Sequence, residues 1–347
     1  MKKILSVLIA AALMIVALAA CGGNGNNAAS SDVGSEVSSA ASAEKATVNI
    51  ATLAGPTGMG MAYMLKGSDD GTTRNTYKYD ICSSPDEITS KIVSGEYDIA
   101  ALPTNAAATL YNKTGGKVKM LALNTLGVLY LLEKGDTVKD VADLKGKTIY
   151  VSGQGSTPEY VLNYILESNG LKVGTDVTLD FTYSTHNDLV AFAATGAADL
   201  VLLPEPTVTA LMTKNADMRV AFDLNDLWAD CVKDSDNADS VISMGCAVVN
   251  TAFAESNPQA VKDFLDDYSE SAGKVNDDYT AASEVIAELG IVQAPAVALK
   301  ALERCNIVCI TGNDMKKTVN NFFEVLYNAN ASSVGGSMPD DQIYYIG

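Results

Sequence analysis

The chain has 347 residues, a formal charge of −18 and one histidine. So acidic a surface repels nucleic acid and anionic lipid, which argues against both as partners. A single histidine leaves little for a zinc site or a Ser/His/Asp triad, and neither GxSxG nor GxxxxGK[ST] occurs.

At the N-terminus, Lys2 and Lys3 precede an apolar run from Ile4 to Leu18, too short to span a bilayer comfortably. Ala19 and Ala20 then lead to Cys21, so residues 1–20 read as a signal peptide. Leu18-Ala19-Ala20-Cys21 looks like a bacterial lipobox, in which the thiol receives diacylglycerol and cleavage leaves Cys21 as the lipidated N-terminus. Losing the two leader lysines takes the charge from −18 to −20. Residues 21–46, rich in Gly, Asn, Ser and Ala, bury too little to fold and read as a flexible tether spanning about 27 Å. The expected location is the extracytoplasmic face of a bacterial membrane, with the anchor as the only membrane contact. About 300 residues remain, enough for two folded lobes.

Five cysteines follow Cys21, namely Cys82, Cys231, Cys246, Cys305 and Cys309, an odd number without a CxxC. Most read as small buried hydrophobes, and a Cys231–Cys246 bridge stays open. No metal or cofactor is expected.

The folded part begins with a strand over Thr47–Leu53, a break at Gly55–Gly58 and a helix over Met59–Leu65. A second strand ends near Cys82. A helix then opens at Pro85 with Ser84 as its cap and stops at Gly95. A buried strand over Tyr97–Leu102 follows, and Pro103-Thr104-Asn105 leads into the next helix. The order then repeats: a strand over Thr148–Ser152, a break at Gly153–Thr157, and a helix from Pro158 with Thr157 as N-cap and Gly170 as stop. Next come Ser184–Asp188, a helix, Gly196, the strand Ala198–Leu203 and Pro204-Glu205-Pro206. Strands alternating with helices mean βαβ units, hence an α/β fold.

At an offset of 101 positions, Gly95 falls on Gly196, Asp98 on Asp199, Leu102 on Leu203 and Pro103 on Pro204. Two similar α/β lobes are therefore expected, each a mixed sheet flanked by helices. Residues 47–143 with 248–347 would form one and 144–247 the other. After the strand Met244–Asn250 the remainder reads as helical, with helices opening at Pro258, over Asp277–Leu289 and over Asp314–Tyr327. Met338–Tyr345 reads as an ordered tail anchored by its aromatic residues.

Ligands of open α/β sheets bind outside the carboxyl ends of the strands, which for two facing lobes surrounds one cleft with loops. The candidate ligand-binding residues are Thr57, Gly58, Met59, Ser84, Thr104, Asn105, Gln154, Gly155, Ser156, Thr157, His186 and Glu205. Several sit at helix N-termini, whose free N–H groups suit an acidic or polar group. Each has a plainer reading: Thr157 as a helix cap, His186 as a satisfied loop residue, Glu205 as a solvated carboxylate. If Glu205 faces the cleft, it favours a ligand that donates or carries positive charge.

Pro85-Asp86-Glu87-Ile88, Ser94–Ala100, Asp143–Lys147 and Leu203-Pro204-Glu205-Pro206 occur in an order that resembles the type II solute-binding proteins of ABC importers. The resemblance covers nearly everything after Lys45 and is to the nitrate/sulfonate/taurine and thiamine-precursor branch. It implies the periplasmic-binding-protein type II fold, with a ligand cleft between lobes. The clamp would be monomeric, close on a small molecule, and deliver it to an ABC permease and its ATPase. In such proteins the loops matching Thr57, Thr104, Asn105, Ser156, Thr157 and Glu205 line the pocket. The three arginines, Arg74, Arg219 and Arg304, lie outside the expected cleft loops. A neutral polar ring compound such as an aminopyrimidine thus competes with a sulfonate. The contrasting readings are an enzyme on the same fold, acting on a pyrimidine or menaquinone-pathway intermediate, and an adhesion lipoprotein without a small ligand. The scattered cysteines and lone His186 do not match the equipment of the pyrimidine enzymes.

Overall fold

The computed structural model describes residues 45–347. The signal peptide, Cys21 and nearly all of the tether lie outside the described residues. From the N-terminal end the elements are β1 (Thr47–Leu53), α1 (Pro56–Met59), α2 (Ala62–Asp69), β2 (Thr76–Cys82), α3 (Asp86–Ser94), β3 (Ile99–Pro103), α4 (Thr104–Thr114), β4 (Val118–Leu126) and β5 (Leu129–Lys134). A second run holds β6 (Thr148–Val151), α5 (Thr157–Ser168), β7 (Thr178–Asp180), α6 (His186–Ala194), β8 (Leu200–Pro204), α7 (Thr207–Lys214), β9 (Met218–Asp223) and α8 (Leu224–Val232). The chain ends with β10 (Ser243–Asn250), α9 (Thr251–Ser256), α10 (Pro258–Asp277), α11 (Tyr279–Glu288), α12 (Pro295–Leu302), β11 (Ile307–Thr311) and α13 (Gly312–Ala329).

Two sheets result. The first has six strands in the order β11-β4-β10-β3-β1-β2, the second five in the order β7-β6-β8-β5-β9. β1 runs parallel between β2 and β3, and β6 runs parallel between β7 and β8. The same parallel triplet therefore occurs twice, and β3 and β8 keep the 101-residue offset at both ends. Gly95 and Gly196 both have φ near +80°, a left-handed turn that glycine adopts without Cβ strain. An antiparallel strand brought from elsewhere extends each triplet: β10 lies against β3, and β5 against β8.

That exchange moves the division between the two halves. β5 belongs to the second sheet, so the chain changes sheet at Gly127-Val128 and not at 143/144. It returns ahead of Ser243, before the expected junction at 247/248. β4, β5, β7, β9 and β11 were not expected from the sequence. Their side chains are buried on both faces or are part of short edges, so two-residue alternation is weak.

Local differences have simple causes. Pro56 stands at a first helical position, so the segment expected as a break forms α1, and α2 starts at Ala62 after Gly60-Met61. Ser156, not Thr157, occupies the N-cap position of α5. Cys231 and Cys246 are not bridged, and the five described cysteines are all free. In the C-terminal tail, Tyr344 is buried and pairs with Met120 of β4.

One apolar cluster runs from the first sheet through α13 to α5 and α8 of the second. Trp228 of α8 sits in it at 1% exposure, its ring centroid 4.9 Å from Tyr164 and 5.4 Å from Phe322. A large ring removed from such a site leaves a cavity as well as lost contacts. Trp228→Ala should therefore lower stability by about 3–5 kcal/mol in urea unfolding. A loss near zero would show that this ring does not hold the two halves together.

Candidate functional site

The carboxyl ends of the two parallel triplets meet, and the loops leaving them form a buried seam. From the first sheet come Thr52 at the end of β1, the turn Gly55–Met59, and Thr104 and Asn105 opening α4. Thr52 and Thr104 are fully buried, and Asn105 is 6% exposed. Gly245 of β10 pairs with Pro103 on one side and Thr125 on the other, bringing Asn124 beside the same strand ends. A Cβ on Gly245 would stand 2.6 Å from Asn124 Oδ1 and collide with the Thr57 methyl, so only glycine fits here.

The second sheet contributes Thr157 and Glu205. The Thr157 hydroxyl donates to Asn105 Oδ1 at 3.0 Å, joining the first turns of α4 and α5 across the seam. A Cβ on Gly55 would come within 3.8 Å of the Pro206 ring, so these facing loops also lie close together. Arg304, between α12 and β11, donates from Nε to Glu205 Oε1 at 2.7 Å and from Nη2 to the Thr209 hydroxyl at 3.0 Å. Thr209 also donates to the carboxylate from its backbone and hydroxyl, both at 3.1 Å. The Arg304 guanidinium lies 5.7 Å from the centre of the Tyr130 ring. Glu205 is thus neither a solvated loop carboxylate nor an unclaimed acceptor. Burial pushes its carboxyl up from the ordinary range, while Arg304 and Thr209 pull it back.

Three buried side-chain atoms at the strand ends of the first sheet have no hydrogen-bond partner: Thr52 Oγ1, Thr104 Oγ1 and Asn124 Nδ2. Each carries a desolvation cost of about 1–3 kcal/mol unless something meets it.

The structure thus brings together Thr57, Gly58, Thr104, Asn105 and Thr157, with Met59 buried in the adjoining core. Other expected residues are engaged locally. Ser84 Oγ accepts from Asp86 N at 3.1 Å, and Ser156 Oγ donates to the Gly153 carbonyl. Gln154 and Gly155 are exposed, and the Gly155 N–H donates to Glu159 Oε2 at 2.6 Å. His186 Nδ1 is hydrogen-bonded to the Ser152 hydroxyl, and burial lowers its pKa to about 4. It is therefore neutral at neutral pH.

Thr52, Asn124, Thr209, Gly245 and Arg304 were missed from the sequence. A signal existed for two of them, because Thr52 and Asn124 are polar residues near the carboxyl ends of strands rich in apolar residues. Arg304 had none: it precedes the unexpected β11, and its partner is 99 residues away.

A family profile described as "ABC transporter, phosphonate, periplasmic substrate-binding protein" matches residues 70–294. The chain belongs to this family of ABC-transporter substrate-binding proteins. Among solved structures, an ABC transporter protein from Parabacteroides distasonis is 26% identical, with a TM-score of 0.72 over 87% of this chain and 99% of its own. The aliphatic sulphonate binding protein of Escherichia coli is 16% identical, with a TM-score of 0.68 over 86% of this chain and 92% of its own. The periplasmic nitrate-binding protein of Synechocystis is also 16% identical, with a TM-score of 0.54 over 74% and 69% of the two chains. No match was found among curated proteins. The substrate-binding protein thus has the periplasmic-binding-protein fold, works outside the cytoplasm, and has a small-molecule ligand and a membrane permease as partners.

In this substrate-binding protein the cross-seam ion pair should be energetically coupled. Arg304→Met leaves the buried Glu205 carboxylate without its charged partner and should cost about 2 kcal/mol. Adding Glu205→Gln should restore at least half of that loss in urea unfolding. Equal losses in the single and double variants would show the two groups to be uncoupled.

Proposed function

We propose that the protein captures a small organic solute in the seam between its two sheets by closing one half on the other, then delivers it to its permease and the attached ATPase. The observation that carries this reading is the convergence of buried, unpartnered polar atoms on a seam crossed by loops from both sheets. The halves in this reading are the lobes defined by sheet membership, hinged where the chain changes sheet at Gly127-Val128 and ahead of β10. Contacts such as Thr157 to Asn105 exist only when the loops are together, so a ligand touching both sides favours the closed state.

Within this reading Thr57, Gly58, Met59, Thr104, Asn105 and Thr157 form the pocket together with Thr52 and Asn124. Ser84, Gln154, Gly155, Ser156 and His186 shape the surrounding loops, and Glu205 spans the seam through Arg304. The relatives named for sulphonate and nitrate support a solute of a few heavy atoms. The scarcity of paired acid, base and nucleophile in the seam supports a carrier over a catalyst.

We further read Cys21 as the lipid attachment point. A tether then keeps the binding domain near its membrane partner at high local concentration. Cys21→Ala should abolish incorporation of labelled palmitate and release the protein from membranes, and continued labelling would refute the anchor.

The capture reading is checked by native mass spectrometry of the full chain purified without denaturation. The expected result is a bound small molecule that is lost in the Asn105→Ala/Thr157→Ala double variant. An adduct retained at full occupancy in that variant would remove the seam as its site.

A further inference from the structure

At the first crossing between the sheets, the hinge comes down to one residue. Leu126, the last of β4, is tied to the first half, its N–H donating to the Asn306 carbonyl at 3.1 Å. Val128 is tied to the second half, its carbonyl accepting from the Glu205 N–H at 2.9 Å. Only Gly127 lies between. The return crossing is equally short. Ser240 Oγ accepts from the Trp228 indole N–H of α8 at 3.3 Å, and Ser243 pairs with Leu126 in the first sheet. That leaves Val241 and Ile242 between the halves. The two crossings therefore meet the first sheet side by side and share one axis for closure.

The Gly127 carbonyl is gripped from both halves. Asn225 of α8 donates to it from Nδ2 at 3.1 Å, and Asn306, in the turn before β11, donates from its own Nδ2 at 2.6 Å. Each carboxamide is fixed to its own half. Asn225 donates to Asp223 Oδ1 from its backbone and its side chain, at 2.8 and 2.9 Å. Asn306 receives Leu126 and has a φ of +44°, the one positive value among the described non-glycine residues. Asparagine tolerates that conformation better than most side chains. Gly127 has no positive φ; it must be glycine because a Cβ would overlap the Asn225 carboxamide. The turn that carries Asn306 also ties the halves through Arg304, which reaches Glu205 and Thr209. The Tyr130 hydroxyl donates to the Arg304 carbonyl at 3.4 Å.

An acceptor that takes one donor from each half keeps both only in a narrow range of settings. Turning the halves apart about Gly127 moves its carbonyl away from Asn225, from Asn306 or from both. In the present setting the Thr157 hydroxyl meets Asn105 across the seam, so the doubly held carbonyl belongs to the closed arrangement. We propose that Gly127 is the pivot of closure and that Asn225 and Asn306 are positioning residues holding it in the closed setting. This rests on the capture reading and sets its starting point: these two bonds favour closure before any solute adds its own contacts.

The test follows the solute-free full chain by single-molecule energy transfer, with dyes on p-acetylphenylalanine placed at Ser83 and Ser184. Both positions are exposed and follow β2 and β7, the edge strands remote from the crossings. Asn306→Gly keeps the left-handed backbone and removes the donor; Asn225→Ala removes the donor of the other half. Each should raise the open-to-closed ratio about fivefold, the worth of one ordinary hydrogen bond. Asn306→Asp, which sets a carboxylate against the carbonyl, should raise it at least as much. Circular dichroism checks the fold of each variant, and where one does not fold the others decide. A purely structural role would lower the melting temperature and leave the distances unchanged, and that result would overturn the proposal. A shift toward the closed form would overturn it too. Loss of the bound molecule in Asn105→Ala/Thr157→Ala tests capture and these distances test the pivot, so either can fail alone.

Discussion

A polar group shut away from water must find a partner or pay for its desolvation, and much of this molecule is arranged around that requirement. Asp267 of α10 is buried and is met by Arg74, by the Tyr77 hydroxyl and by the Arg74 backbone, which ties α10 to the edge strand β2. Glu133 at the end of β5 is met by Arg219, Thr137 and the N–H of Val138. Glu205 is met by Arg304 and Thr209. In each case one buried carboxylate draws together segments distant in sequence. Among the described residues six buried side-chain atoms leave the requirement unmet, and three of them, on Thr52, Thr104 and Asn124, lie at the strand ends of the first sheet.

The exchange of antiparallel strands explains why the strand ends face each other. Each parallel triplet is completed by a strand from another part of the chain, β10 beside β3 and β5 beside β8. The chain must therefore cross between sheets twice, and the short crossing at Gly127-Val128 leaves little freedom in how they meet. A Cβ on Gly127 would overlap the Asn225 carboxamide, which donates to the Gly127 carbonyl at 3.1 Å, as Asn306 does at 2.6 Å. This pinned crossing helps bring the two βαβ arrangements together in one seam, and a seam is what a substrate-binding protein needs to enclose a small molecule.

The self-capped helix ends bear on specificity. A helix N-terminus is a good anion site only while its N–H groups are free, and the chain's own carboxylates compete for them through short, inexpensive loops. Glu159 on Gly155 and Glu87 on Ser83 engage N–H groups of the loops just ahead of α5 and α3, each from four residues away. Relatives that share this fold and are named for anions are 16% identical to this chain, a distance at which the architecture persists while the groups lining the cleft are free to change.

By itself the sequence determined the α/β class, the repeat at 101 residues, and the loops that close the parallel triplets. Those features are local: glycine and proline punctuate, buried parallel strands are apolar throughout, and helix starts carry capping residues. It also displayed Thr57, Thr104, Asn105 and Thr157, because polar residues following apolar strands stand out. Only the tertiary structure decided that β5 leaves the first half, that Arg304 reaches Glu205, and that Thr52 and Asn124 lack partners. Strand exchange depends on pairings between segments 67 to 150 residues apart, and partnership of a buried polar atom depends on every element packed around it. Neither is encoded in spacing along the chain. The helix N-termini show the same division: the sequence placed them at the cleft, and the folded loops decided that Thr185 caps α6 while α4 and α5 have no side-chain cap.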